Sequence, residues 1–161
     1  MRFRVINIPE KKLIGKRMTM SYADYRIGEL WGSFMPRRKE ITNNLTSDLI
    51  SLVVYAPGHF ANYKPDLKFE RWAVVEVSDF SQVPNEMEAY TLPGGLYAVF
   101  HYAGPASGIS QHYRAIFDVW LPSSEYELEE RAHFEVLGTK YSTDNPSSEE
   151  EIWIPVKRKK G

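Results

Sequence analysis

An α+β fold is predicted: two strand-helix-strand-strand modules pairing into one pseudo-twofold antiparallel sheet, with two helices packed on it and a central pocket. Three observations predict it. The apolar period changes from two to 3.6 and back to two, and this happens twice in the same order. Short segments of the two halves match at an offset of about 80 to 86 positions. The length of 161 residues suits one domain or two small modules sharing a core.

The first module opens with "FRVINI" (3–8) and "KLIGKRMTM" (12–20), an extended strand interrupted at Pro9. From Ile27 the period changes, and Ile27, Leu30, Trp31, Phe34 and Met35 form one stripe of an amphipathic helix. Ser21 or Asp24 is its expected N-cap and Pro36 its expected stop. "LISLVVYA" (49–56) and "RWAVVEV" (71–77) are β-rich, and the polar loop between them carries Pro57-Gly58 and Pro65-Asp66.

After a polar link (78–88) the order repeats. "YTLPGGLYAVFHY" (90–102) is a long strand with a Pro-Gly-Gly interruption. "SGISQHYRAIFDVW" (107–120) sets Ile109, Tyr113, Ile116, Phe117 and Trp120 at helical spacing, with an end expected at Pro122. "HFEVLG" and "EEIWIPV" supply two more strands across the loop "TKYSTDNPSSE". Ile8-Pro9 matches Leu92-Pro93, and Leu30, Trp31, Phe34 and Pro36 match Ile116, Phe117, Trp120 and Pro122. "LVVYA" matches "FEVLG", and "WAVVEV" matches "IWIPVK". Four matches in one order point to internal duplication, with repeats at 1–77 and 89–157 and a basic tail at 158–161. Neither half buries its apolar faces alone. The halves are therefore expected to pair as a single domain, with a ligand cavity at the seam.

Composition narrows the function classes. The chain is 43% hydrophobic, 25% charged and 14% aromatic, with ten Tyr, eight Phe and four Trp. That aromatic content suits a thick core or an aromatic-lined pocket. A net charge of −1 gives no overall field for nucleic acid. The basic clusters "PRRK" (36–39) and "KRKK" (157–160) read as a solvated turn and a frayed tail. Without cysteine there are no disulfides, thiolate nucleophiles or Cys-based metal sites. No apolar run approaches the ~20 residues that span a bilayer. With no apolar signal core at the start, a soluble cytoplasmic protein is expected.

"LPGGLYAVFHYAG", "HFEVLG" and "EEEIWIPVK" resemble the GyrI-like family, also described as the effector-binding domain of AraC-type and multidrug-sensing MerR-type bacterial regulators. The resemblance spans about residues 1–157. Its most specific part is the closing "FE…IWIPVK", and "LWGSFMPR" in the first helix supports it. It implies a pseudo-twofold fold whose central aromatic pocket takes hydrophobic, often cationic, small molecules. In family members that sense drugs, a buried glutamate matching Glu135 is the counter-charge. Some stand-alone relatives look like hydrolases that open strained cyclopropane rings with the matching glutamate and an aromatic residue. One founding member is described as a DNA gyrase inhibitor, a role to which no residue here is tied. The family's regulators carry a helix-turn-helix ahead of this domain. Here Met1 runs straight into the first strand, so no direct nucleic-acid binding is expected. The family often has Tyr two residues after the glutamate. This chain has Leu137, leaving Tyr141 or Tyr55 to supply that pocket hydrogen bond.

Glu135 is the central candidate. It sits mid-strand between Phe134 and Val136, and the segment match pairs it with Val53, so the fold itself does not require a charge there. Buried unpaired it would cost several kcal/mol or protonate. In a pocket it would hold a cation or act as a general base. Aromatic faces would frame a cation at about 0.5–2 kcal/mol each. The aromatic candidates are Trp31, Phe34, Tyr55, Trp72, Tyr97, Tyr102, Phe117 and Trp120. For the helical members core packing is the better single explanation, and the strand residues Tyr55 and Tyr97 are the stronger pocket candidates. Tyr55 shares the strand parity of Glu135, and Tyr97 lies in the resembling segment "GLYAVF".

His59, His101, His112 and His133 show no ligand spacing, so neither a metal nor a cofactor is expected. His133 reads as a surface residue, and "SEEE" (148–151) as a solvated strand entrance. Two readings result. One is a stand-alone protein that binds a hydrophobic or cationic small molecule, with Glu135 as its charged floor. The other is a hydrolase of strained electrophiles in which Glu135 activates water. Inhibition of a protein partner such as gyrase would need an exposed recognition surface, and no sequence feature identifies one.

Overall fold

The computed structural model describes residues 1–142 and 145–160; Thr143 and Asp144 of the last loop and Gly161 of the expected tail lie outside them. The elements run β1 (Phe3–Ile8), β2 (Lys11–Met20), α1 (Ile27–Phe34), β3 (Leu49–Tyr55), β4 (Phe69–Val77), β5 (Glu88–Leu92), β6 (Gly95–Ala103), α2 (Ile109–Arg114), β7 (Tyr126–Leu128), β8 (His133–Leu137) and β9 (Glu149–Arg158). The first helix tightens into a 3₁₀ segment, Met35–Glu40. The second passes into a π-helical segment, Ala115–Trp120, and a final α turn, Leu121–Ser123.

All strand pairs are antiparallel. Across the sheet the order is β1-β6-β9-β8-β3-β4-β2-β5. Exchanging β1 with β5, β2 with β6, β3 with β8 and β4 with β9 reverses this order onto itself. A pseudo-twofold axis therefore crosses the sheet between β3 and β8. Each lead strand is given to the other half: β1 pairs with β6, and β5 with β2.

The registers correct two sequence matches, "LVVYA" with "FEVLG" and "WAVVEV" with "IWIPVK", the second moving Trp72 from Ile152 onto Glu151. Under the twofold they require the shift from β2 to β6 to equal that from β3 to β8. The Pro9–Pro93 match then carries Ser51, not Val53, onto Glu135. Ser51 and Glu135 are also direct cross-strand partners, which sets them on the axis.

Strand parity sorts the core. On the helix face, Leu30 and Phe34 of α1 pack with Ile14, Ala73 and Val75. Ile116 packs with Ala98, Phe100, Ile152 and Ile154. The opposite parity gathers Leu13, Leu52, Trp72, Tyr97, Phe134 and Trp153 on the other face.

Three local expectations change. Among the described residues no side chain caps α1, whose N-cap residue is Arg26; Ser21 Oγ instead accepts from the Asp24 N–H at 2.9 Å. Pro36 and Pro122 fall inside helical turns, where an early position needs no N–H from proline. The basic end is not frayed from Lys157: β7 pairs with β9 out to Arg158, and Arg158 bonds Glu125 at 2.8 Å. Among the described residues no helix is long and apolar enough to cross a membrane.

Candidate functional site

Over the β3–β8 seam, beside α2, lies a cavity of about 690 Å³. Its floor is the helix-face parity of three central strands: Ser51, Val53 and Tyr55 of β3, Arg71 of β4, and His133 and Glu135 of β8. Ile109, Tyr113 and Phe117 form one wall, each four residues from the next on a single helix stripe. The stripe runs into the π-helical segment, a departure from regular helix often found at functional sites. Tyr22 and Tyr25, ahead of α1, and Phe60 and Tyr63, in the loop after β3, form an exposed aromatic rim.

The rings are ordered. Phe117 lies near-parallel to Phe60 at 5.6 Å, to His133 at 6.3 Å and to Tyr113 at 6.5 Å. Tyr55 meets His133 edge-on at 5.1 Å, and its hydroxyl bonds that of Tyr22.

The charges are ordered too. Tyr113 Oη donates to Glu135 Oε1 at 2.5 Å. Burial, then the neighbouring Glu135 charge, pushes the Tyr113 phenol far above its usual range, so it keeps its proton and remains a donor. Arg71 is buried and donates from Nη2 and Nε to Ser51 Oγ at 2.9 and 3.3 Å. Burial works against its charge, while Tyr25, Glu135 and Tyr113 more than offset this and hold the guanidinium above its ordinary pKa. His133 is pulled down to about 3 by burial, then by Arg71 and His59, so at neutral pH it is an uncharged ring. Behind Glu135 lies Glu150, only 8% exposed. Burial, then the charge and hydrogen bond of Glu135, pushes its carboxyl up to about 8.

Of the expected site residues, the structure brings Glu135, Tyr55 and Phe117 together at the cavity. The other four lie elsewhere. Tyr97 is fully buried on the far face of the sheet, its hydroxyl donating to the Ala132 carbonyl at 2.8 Å. Trp72 shares that face and packs on Tyr90; its parity is opposite to that of Arg71. Trp31 packs in the core under α1, edge-on to Phe34. Trp120 sits under the second helix against Phe3 and Phe100. Phe34 and Tyr102 are core residues as well.

His133, expected at the surface, is 8% exposed and lies in the cavity floor. Glu150, expected in a solvated run, is buried. The hydrogen bond to Glu135 comes from neither Tyr141 nor Tyr55 but from Tyr113 on the facing helix.

The model of the GyrI-like small molecule binding domain matches residues 1–157. The chain is 27% identical over 157 residues to the transcriptional regulator BrlR of Pseudomonas aeruginosa, covering 97% of this chain and 56% of BrlR. It therefore spans little more than half of that relative. Among solved structures, SAV2435 bound to tetraphenylphosphonium superposes with a TM-score of 0.75 at 17% identity, covering 98% of this chain and 94% of the other. The EcmrR C-terminal domain superposes at 0.71, also at 17% identity, covering 98% of each chain. With a family match across nearly its whole length, this chain belongs to the GyrI-like small molecule binding domain family.

Proposed function

We propose that the cavity over the β3–β8 seam binds an amphipathic cation with aromatic or other apolar substituents, with Glu135 as its counter-charge. The observation that carries this is the Glu135 carboxylate itself. It faces an aromatic-lined cavity and is held in place by the Tyr113 phenol at 2.5 Å. The volume of about 690 Å³ falls within the usual range for small-molecule sites. Tyr55, Phe60, Tyr113 and Phe117 offer ring faces for cation–π contact. SAV2435, which shares the fold, is bound to a lipophilic cation of this kind.

Hydrolysis of a strained electrophile would need a water on Glu135. The Tyr113 proton already occupies Oε1, and Glu150 lies against the same carboxylate, which favours holding a ligand over activating water. The test is calorimetric titration with tetraphenylphosphonium and with tetraphenylborate, of the same shape and opposite charge. The cation binds and the anion does not, and Glu135→Gln weakens cation binding tenfold or more, about 1.4 kcal/mol. Equal binding of both ions, or an unaffected variant, would refute the reading. Turnover of a cyclopropane-containing alkylator that is lost in Glu135→Gln would establish the hydrolase instead.

A further inference from the structure

We infer that Glu150 is a second, proton-bearing carboxyl of this site, and that a bound monocation displaces its proton to solvent, exchanging one positive charge for another. The inference rests on the cation-binding reading above. Glu135 pairs with Ile152 across the β8–β9 ladder. Glu150 lies two residues along β9 on the same face, a diagonal cross-strand neighbour within reach of a long side chain. Its Oε2 is buried and has no hydrogen-bond partner among the described residues. A carboxylate oxygen left so is costly, whereas a carboxylic acid shared with a neighbouring carboxylate is not.

The groups around the pair can be counted. Tyr102 of β6 is the cross-strand partner of Glu150, and Arg114 and Asp118 of the second helix line the same cavity. Arg71 faces the pair from β4, His133 from β8, Tyr113 from α2 and Tyr55 from β3; Tyr22 and Tyr25 approach from ahead of α1, and Tyr141 from the loop after β8. Arg114 and Asp118 carry opposite formal charges, which leaves Arg71 as the cation that acts on the carboxyl pair. Two carboxyls against one guanidinium leave one negative charge without a partner. Adjacent carboxylates in a dry site hold a proton between them. With that proton on Glu150 the set is neutral, in keeping with its pKa of about 8, raised first by burial and then by Glu135. A cation beside Glu135 favours the ionised form of Glu150. The O–H bond breaks, the proton leaves to solvent, and the set is neutral again with the ligand bound. One charge balances this exchange and two do not, so Glu150 also selects monocations over dications.

The test is calorimetry of tetraphenylphosphonium binding at pH 7 in two buffers of different ionisation enthalpy. Wild type is expected to release close to one proton per cation. Its affinity is expected to rise with pH toward a plateau above about pH 8, by at most tenfold per unit. Glu150→Gln is expected to bind the cation with almost no proton release and a flat pH profile. Binding by wild type without proton release, or with unchanged release in the variant, overturns the inference and leaves cation binding intact.

An infrared arm separates the two ideas. At pH 7 the ligand-free wild type is expected to show the C=O stretch of a buried carboxylic acid, absent from Glu150→Gln and bleached in wild type by the cation. That bleaching needs no variant to fold. A missing band overturns the inference on its own. A band present with no cation bound at any pH overturns the cation reading, and the exchange falls with it.

Discussion

Ser51 and Glu135 face each other directly across the β3–β8 seam, on the pseudo-twofold axis of the sheet. The same symmetry carries Arg71 of β4 onto Glu150 of β9. The two modules thus agree in strand order and differ in charge on the helix face of the sheet around the axis. One supplies a guanidinium and a hydroxyl, the other two carboxyls. The charge pattern of the candidate site arises where the halves are not identical.

Arg71→Met is expected to destabilise the fold by about 3–5 kcal/mol, since it removes the one buried cation facing two carboxyls. Adding Glu135→Gln should recover part of the loss, because the uncompensated charge goes with it. Urea denaturation of the two variants measures both effects. A single variant within about 1 kcal/mol of wild type would show that Arg71 is not the balancing charge.

His133 gives an acid-side prediction. Its folded pKa of about 3 lies below the usual ~6.5, so the native state rejects a proton that the unfolded chain accepts. The stability it confers is fully present above about pH 6.5 and drains away as pH falls toward 3. His133→Phe keeps a ring against Phe117 and should flatten the fall in Tm between pH 7 and pH 4. Parallel curves for variant and wild type would count against it.

Glu150 acts in the opposite direction. Its folded pKa of about 8 exceeds the ordinary ~4.3, so its contribution is complete at the acid end and is lost as pH rises through 8. Glu150→Gln should therefore gain on wild type in Tm from pH 5 to pH 8.5, by about 2–4 °C per kcal/mol for a chain of this size. No relative gain across that window would mean that the native carboxyl does not hold its proton.

Ring position predicts an affinity contrast. Phe60→Ala removes an exposed rim ring and should weaken tetraphenylphosphonium binding by about 0.5–2 kcal/mol, with little change in Tm. Trp72→Phe, on the opposite face of the sheet, should lower stability and leave affinity unchanged. Titration calorimetry beside a thermal melt distinguishes them, and the reverse pattern would move the site to the other face.

The fold was legible because its signals are periodic. The strand alternation and the Ile27–Phe34 stripe each force apolar side chains onto one face, and duplication repeats both. Among the residues lining the cavity, Glu135 stands out in the sequence because a carboxylate breaks an apolar alternation. Arg71 breaks "ERWAVVEV" in the same way, and Glu150 shares its parity with Ile152 and Ile154, so the same argument applied to every strand would have found both. The rim could not be read. Tyr22, Tyr25, Phe60 and Tyr63 lie in loops, where no period says which way a ring points. Tyr97 and Trp72 lie on the opposite face of the sheet, which aromatic character alone does not reveal: it marks burial, and only parity relative to Glu135 says on which side.

The exchange of lead strands bears on how the chain acquires its structure. Phe3 meets Phe100 and Lys11 meets Leu92, so the outermost ladders close only after most of the chain is present. Such sequence-distant pairing slows folding and joins both halves in one cooperative transition. It also leaves a severed first half, residues 1–77, with β1 unpaired and β2 missing its outer neighbour. Because β2 is the symmetry mate of β6, two copies of that fragment can each offer the strand edge the other lacks. Dimerisation by mutual strand exchange is its expected fate, with the seam of the intact chain becoming the interface between copies.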